Sequence, residues 1–137
     1  MADRVRLVDY FYITASDRPG EGARVLSQLK DAGVYVTAIH AFPSGRRVQI
    51  DFMPANAAAF KATARKAGWK VAGPKKVFVI DGPDRTGALM NHFAKLGKAK
   101  INVTAASALA AGARWFGAVL WVKPRDVQRA ARVLGAR

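Results

Sequence analysis

The chain has 137 residues, with 23 Lys+Arg against 9 Asp+Glu, a net charge of +14 and no Cys. That length suits one ordinary domain or two small ones, and 51% hydrophobic residues exclude a disordered basic tail. The missing Cys excludes a disulfide framework, a thiol nucleophile and thiolate-held zinc or iron–sulfur centres, and no apolar run is long enough to span a bilayer.

Tyr10–Thr14 is rich in β-branched and aromatic residues and reads as a strand. It ends in the turn Asp17-Arg18-Pro19-Gly20. Val25, Leu26, Leu29 and Ala32 then recur at helical spacing, with Gly33 as the C-terminal cap. A second strand spans 34–42, and a turn at Pro43-Ser44-Gly45 leads to a third strand, 48–52. Pro54 and Asn56 open a helix with Phe60, Ala64 and Ala67 inward and Gly68 as its stop. Trp69–Val71 reads as a short fourth strand.

From Val77 the pattern returns. Displacing the chain by 67 residues puts Phe11 on Phe78, Ile13 on Ile80 and Leu29 on Leu96. Asp17-Arg18-Pro19-Gly20 falls on Asp84-Arg85-Thr86-Gly87, and Val36-Thr37-Ala38 on Val103-Thr104-Ala105. A gapless match over more than forty positions is a duplication. In the second copy Leu89, Met90, Phe93 and Leu96 form the inward helix face, and Gly97 caps it. Strands 101–109 and 115–122 follow, then a helix from Pro124 to Leu134 with Val127, Ala130, Ala131 and Leu134 inward.

The predicted fold class is α+β: two ferredoxin-like βαββαβ sandwiches in tandem, residues 5–73 and 74–137, the second lacking its last strand. That lack leaves a sheet edge exposed or borrowed. Strand 115–122 is apolar on both faces, so its outer face calls for cover by another unit or another chain. Both features predict a homodimer.

A strand, an Asp-Arg-x-Gly loop, a helix and a strand opening as Ile101-Asn102-Val103 resemble the ACT domain family. The first copy departs from that pattern with Tyr35 where the second has Asn102. The resemblance covers about residues 7–134, and the architecture is similar to stand-alone tandem proteins of the glycine-cleavage transcriptional repressor type. It implies a regulatory module that binds a small molecule, an amino acid by preference, at domain interfaces, and passes that state to a protein partner. The implied ligand-binding residues are Asp17, Arg18, Gly20 and Tyr35, with Asp84, Arg85, Gly87 and Asn102.

The chemistry of the loops agrees with that use. A strand entering a helix through Asp-x-x-Gly presents open backbone amides and a helix dipole to a carboxylate. The two Asp carboxylates could take an ammonium group. Asp and Gly there also serve turn geometry. Catalytic motifs are lacking, and Glu21 is the only Glu, so the chain reads as a non-enzyme with no cofactor and no metal. His40 and His92 read as structural or surface residues. Two alternatives remain: a nucleic-acid-binding protein with ferredoxin-like sheets, and an assembly module without a small ligand. Arg114-Trp115-Phe116-Gly117-Ala118 is only a loose echo of an RNA-binding strand. The excess cations fall on outer helix faces, at Lys61, Arg65, Lys66, Arg125, Arg129 and Arg132. The expected location is the cytoplasm, away from membranes.

Overall fold

The computed structural model describes residues 2–137. Its elements are β1 (Arg4–Ser16), α1 (Glu21–Asp31), β2 (Val36–Ser44), β3 (Arg47–Pro54), α2 (Ala57–Ala67), β4 (Ala72–Pro83), α3 (Met90–Lys98), β5 (Val103–Ala110), β6 (Trp115–Val122), a 3-10 turn (Pro124–Asp126) and α4 (Val127–Leu134). They form two units. One is Asp9–Lys75; the other joins the chain up to Val8 to Lys76–Arg137.

In the first unit the strand order is β2-β3-β1-β4. β3 pairs antiparallel with β1, Phe11 facing Phe52 and Ile13 facing Ile50. β2 pairs antiparallel with β3, Ile39 facing Phe52. Alternate residues of these strands point at α1 and α2, so Phe11, Ile13, Ile50 and Phe52 meet Val25, Leu29, Phe60 and Ala64 in one core. The Phe60 ring lies 5.3 Å from those of Phe11 and Phe52. Asn56 caps α2 by accepting the Ala59 amide at 3.0 Å, and Gly68 ends the helix at φ 76°.

The fourth strand is not Trp69–Val71 as the sequence predicts. The Trp69 amide still donates to the Ala64 carbonyl, which holds Trp69 in the helix cap, and its side chain packs on the core. The strand starts at Ala72 and runs without a linker into the first strand of the second copy.

In the second unit the order is β1-β4-β6-β5. Phe78 faces Leu120, and Ala106 faces Leu120 from the other side. The place of a fourth strand in the second copy is taken by the start of β1. Val5 lies in this core with Phe78, Leu96, Leu120 and Ala130, and Leu7 packs against it. The Leu7 amide donates to the Arg137 carbonyl and the Arg137 amide to the Val5 carbonyl. The sheet edge is borrowed, from the front of the same chain. On the outer face of β6, Val119 and Trp121 are buried. The chain is thus a tandem of ferredoxin-like sandwiches.

Three local expectations fail in the helices. Leu26 and Ala32 are exposed on α1, while Val25 and Leu29 alone are buried there. Met90 and Phe93 are exposed on α3; the inward positions belong to His92 and Leu96. Gly97 is not a cap but lies inside α3, which ends at Lys98 with Ala99 as C-cap. The residue that takes the left-handed turn is Lys100, at φ 63°, where the first copy has Gly33 at φ 72°.

Candidate functional site

The two Asp-Arg loops occupy equivalent places, each between a first strand and a first helix. Loop one is open. Asp17, Arg18, Pro19 and Gly20 are all exposed. Gly20 sits at the α1 N-cap with φ 87°, and no side chain caps the helix. Glu21 donates its amide to the Arg18 carbonyl and Arg24 to the Gly20 carbonyl, and the Gly22 and Ala23 amides between them have no partner within the helix. Arg18, Pro19, Gly20, Glu21 and Arg24 line an open cleft of about 570 Å³ at this helix end.

Charge in the cleft is ordered by short contacts. The Ser16 hydroxyl donates to Glu21 Oε2 at 2.7 Å, and Arg24 Nε donates to Glu21 Oε1. An Arg18 guanidinium nitrogen reaches Ser16 Oγ at 3.3 Å. The Ser16 hydroxyl bond, then the Arg24 bond, holds the Glu21 carboxyl below the usual carboxylate range. The cleft therefore offers cations, a fixed carboxylate and helix amides within one helix turn. Glu21 and Arg24 were missed by sequence reasoning. Their signal was the three-residue spacing at a helix start, where Glu and Arg meet on one face.

Loop two has the same sequence pattern and a different duty. Arg85 forms a two-pronged bond to Asp3, at 2.9 and 3.0 Å, and a further bond to the Pro83 carbonyl at 2.8 Å. Its guanidinium lies 5.8 Å from the Phe116 ring centre. His92 Nε2 reaches the second oxygen of Asp3 at 2.7 Å. The Arg85 bond chiefly, aided by His92, lowers the Asp3 carboxyl below its ordinary value against the opposing effect of burial. Arg85 is raised in turn, mainly by Asp3. Gly82 makes room for this arrangement: a Cβ there would stand 2.2 Å from an Asp3 oxygen. The Asp84 amide donates to the Arg114 carbonyl at 2.8 Å, and Gly87 turns at φ 72°. Loop two fastens the borrowed strand to its unit.

The remaining candidates lie elsewhere. Tyr35 is 71% exposed and lines a second cleft with Leu26, Lys30 and Val34, at the C-terminal end of α1. Eleven helical residues separate that cleft from Gly20, about 16 Å at 1.5 Å each. Asn102 is exposed beyond the C-terminal end of α3, with the whole helix between it and Gly87. Within a unit, the loop residues and the second-strand residues are thus not brought together. Lys61, Arg65, Lys66, Arg125, Arg129 and Arg132 are exposed on α2, the 3-10 turn and α4. Among the described residues no group of three His, Cys, Asp or Glu could hold a metal ion, and no helix is long and apolar enough to cross a membrane.

No family model matches the chain, and no curated protein matches its sequence. Solved structures do match. A protein of Bacteroides thetaiotaomicron superposes over 96% of this chain and 88% of its own, with a TM-score of 0.82 at 13% identity. The regulatory subunit of aspartate kinase from Thermus thermophilus, in its ligand-free form, matches over 96% and 94% with a TM-score of 0.63 at 18% identity. That from Thermus flavus matches over 98% and 94% with a TM-score of 0.60 at 15% identity. At such identities the likeness is one of fold. The two aspartate kinase chains are regulatory subunits rather than catalytic ones.

Proposed function

We propose that this chain is a regulatory module of the ACT type that binds a small zwitterion, an amino acid, at loop one. The observation that carries the reading is the uncapped N-terminus of α1, which opens into a cleft flanked by Arg18 and Arg24. An α-carboxylate there gains the first-turn amides and the dipole, with a guanidinium on either side. Asp17 and Glu21 are the groups for the α-ammonium. Gly20 lets the ligand approach the backbone, since no heavy atom stands within 4 Å of the place its Cβ would take. Support comes also from the fold shared with regulatory subunits, one of them described in a ligand-free form.

Loop two, with Asp84, Arg85, Gly87 and Asn102, is a second candidate of the same class, and Tyr35 a candidate contact from the first copy's second strand. Arg85 would have to release Asp3 to serve a ligand. We assign the chain no catalytic role. A bound ligand acts by favouring the conformation it fits, which a protein partner then reads.

A thermal-shift screen of the twenty amino acids on the intact chain tests this. At least one is expected to raise Tm, because a ligand at about a hundred times its Kd adds about 2.7 kcal/mol. Arg18→Ala and Arg24→Ala are expected to abolish the shift. No stabiliser at millimolar concentration would overturn the amino-acid reading.

A further inference from the structure

We infer that loop two holds a built carboxylate site whose resident is the side chain of Asp3, an internal stand-in that a free carboxylate ligand displaces. The walls of the site are Arg85 and His92. Arg85 sends one nitrogen to each Asp3 oxygen, at 2.9 and 3.0 Å, the two-pronged geometry of a guanidinium on a carboxylate. His92 Nε2 stands 2.7 Å from Asp3 Oδ2. His92 Nδ1 is buried and meets no hydrogen-bond partner among the described residues. The ring proton therefore belongs on Nε2, which donates it to the carboxylate. The Arg85 side chain is 44% exposed, which leaves the site a way in from solvent.

The duplication shows which of these groups the fold itself does not require. Under the same displacement His92 falls on Val25, a buried residue of α1. An apolar side chain fills that helix position in the first copy, so the imidazole is an addition. Glu21, the carboxylate of loop one, falls on Ala88, and Arg24 on Asn91. Loop two thus has no carboxylate at the matching helix position and receives one from outside the repeat. Its cation does not depend on Asp3 for its place. Arg85 also donates to the Pro83 carbonyl at 2.8 Å and reaches the Ala88 carbonyl at 3.4 Å, and its guanidinium lies 5.8 Å from the Phe116 ring centre. The fork stays aimed when Asp3 leaves. Asp3 stands one residue before β1, so its side chain can swing out while Val5 stays in the core. A net charge of +14 raises the local concentration of small anions that compete for the place.

The inference deepens the reading of loop two as a second ligand site and rests on that reading only for the use of the ligand. Acetate binding here and the amino-acid screen at loop one can each fail without the other. The experiment is an NMR titration of the full chain with sodium acetate, against sodium chloride at equal ionic strength and neutral pH. It follows the Arg85 Nε–H and His92 ring signals. In Asp3→Gly, acetate is expected to give a saturable shift that chloride does not, and adding Arg85→Ala should abolish the shift at His92. The wild type should need at least tenfold more acetate, because a tethered carboxylate competes at an effective concentration of about millimolar or more. Asp3→Asn keeps the shape and loses the charge, so its apparent Kd should fall between the two. That variant keeps the ordering measurable if Asp3→Gly does not fold. No saturable shift in either variant, a shift that chloride reproduces, or one apparent Kd for wild type and variants would each overturn the proposal.

Discussion

Loop one and loop two share Asp, Arg and Gly at the same offsets and have parted in function. In loop one Arg18 reaches the neighbouring Ser16, and no side chain caps the helix. In loop two Arg85 is bound to Asp3, 82 residues away in sequence, and the loop has become a clamp. The difference follows from chain topology. The first copy is closed by residues that follow it, Ala72 onward, so its loop has no strand to fasten. The second copy is closed instead by the start of β1, which precedes both copies and places Asp3 beside loop two. A repeated motif therefore need not mean a repeated site.

The largest way to break this comparison is to remove the borrowed strand from its core. Val5→Asp puts a carboxylate among Phe78, Leu96 and Leu120. Lost burial and an unpaired buried charge together cost about 4 kcal/mol or more. Hydrogen exchange should then show lost protection in β4 and β6, with β3 still protected. Equal loss in both units would mean that they do not open separately.

Next comes the clamp itself. Asp3→Ala removes the carboxylate that Arg85 and His92 share and should cost about 2–3 kcal/mol. For a unit of this size that lowers Tm by on the order of 10 °C. Asp17→Ala, in the open loop, should stay within about 0.5 kcal/mol of wild type. Equal effects from the two Asp residues would erase the distinction between the loops.

The same pair separates by pH. Asp3 has a folded pKa below its ordinary value of 3.8. Its contribution is therefore complete above the unfolded carboxylate pKa and is lost as pH falls through the lowered folded value. Wild type should lose stability against Asp3→Asn in acid, below about pH 4, and the gap between them should be constant above about pH 5. Thermal unfolding of both proteins from pH 2 to 7 gives the curve. A gap that widens in acid would refute the assignment.

Much of this fold was legible because it is local and written twice. The strand patterns around Phe11 and Phe78, the Asn56 cap and the Gly68 stop all depend on near neighbours in sequence. The difference between the loops was not legible, because a strand entering a helix through Asp and Gly reads the same in both copies. What escaped was nonlocal. His92 takes an inward position that periodicity gave to Phe93, because Asp3 supplies it a partner from 89 residues away. The use of Arg85 depends on the same residue. The Arg4-Val5-Arg6-Leu7 alternation does carry a strand signal, yet nothing in it tells which sheet the strand will join. Leu26, Met90 and Phe93 are apolar and yet exposed, as apolar residues on surfaces often are.

The smallest expected effect concerns the turn after each first helix. Both copies bend there through the left-handed region, at Gly33 with φ 72° and at Lys100 with φ 63°. A residue with a Cβ meets its own carbonyl in that conformation, at a cost of about 1 kcal/mol that Gly escapes. Gly in turn loses more backbone entropy on folding, which offsets part of the gain. Lys100→Gly should therefore stabilise the second unit by about 0.5 kcal/mol, and Gly33→Lys should destabilise the first by a similar or larger amount. Chemical denaturation resolves the sign through the midpoint at constant slope. Lys100 is exposed and carries no hydrogen bond from its ammonium to a described residue, so the substitution tests the backbone alone. A fall in stability for Lys100→Gly would mean that the second copy has adapted to its Lys, and that the two turns, like the two loops, no longer do the same work.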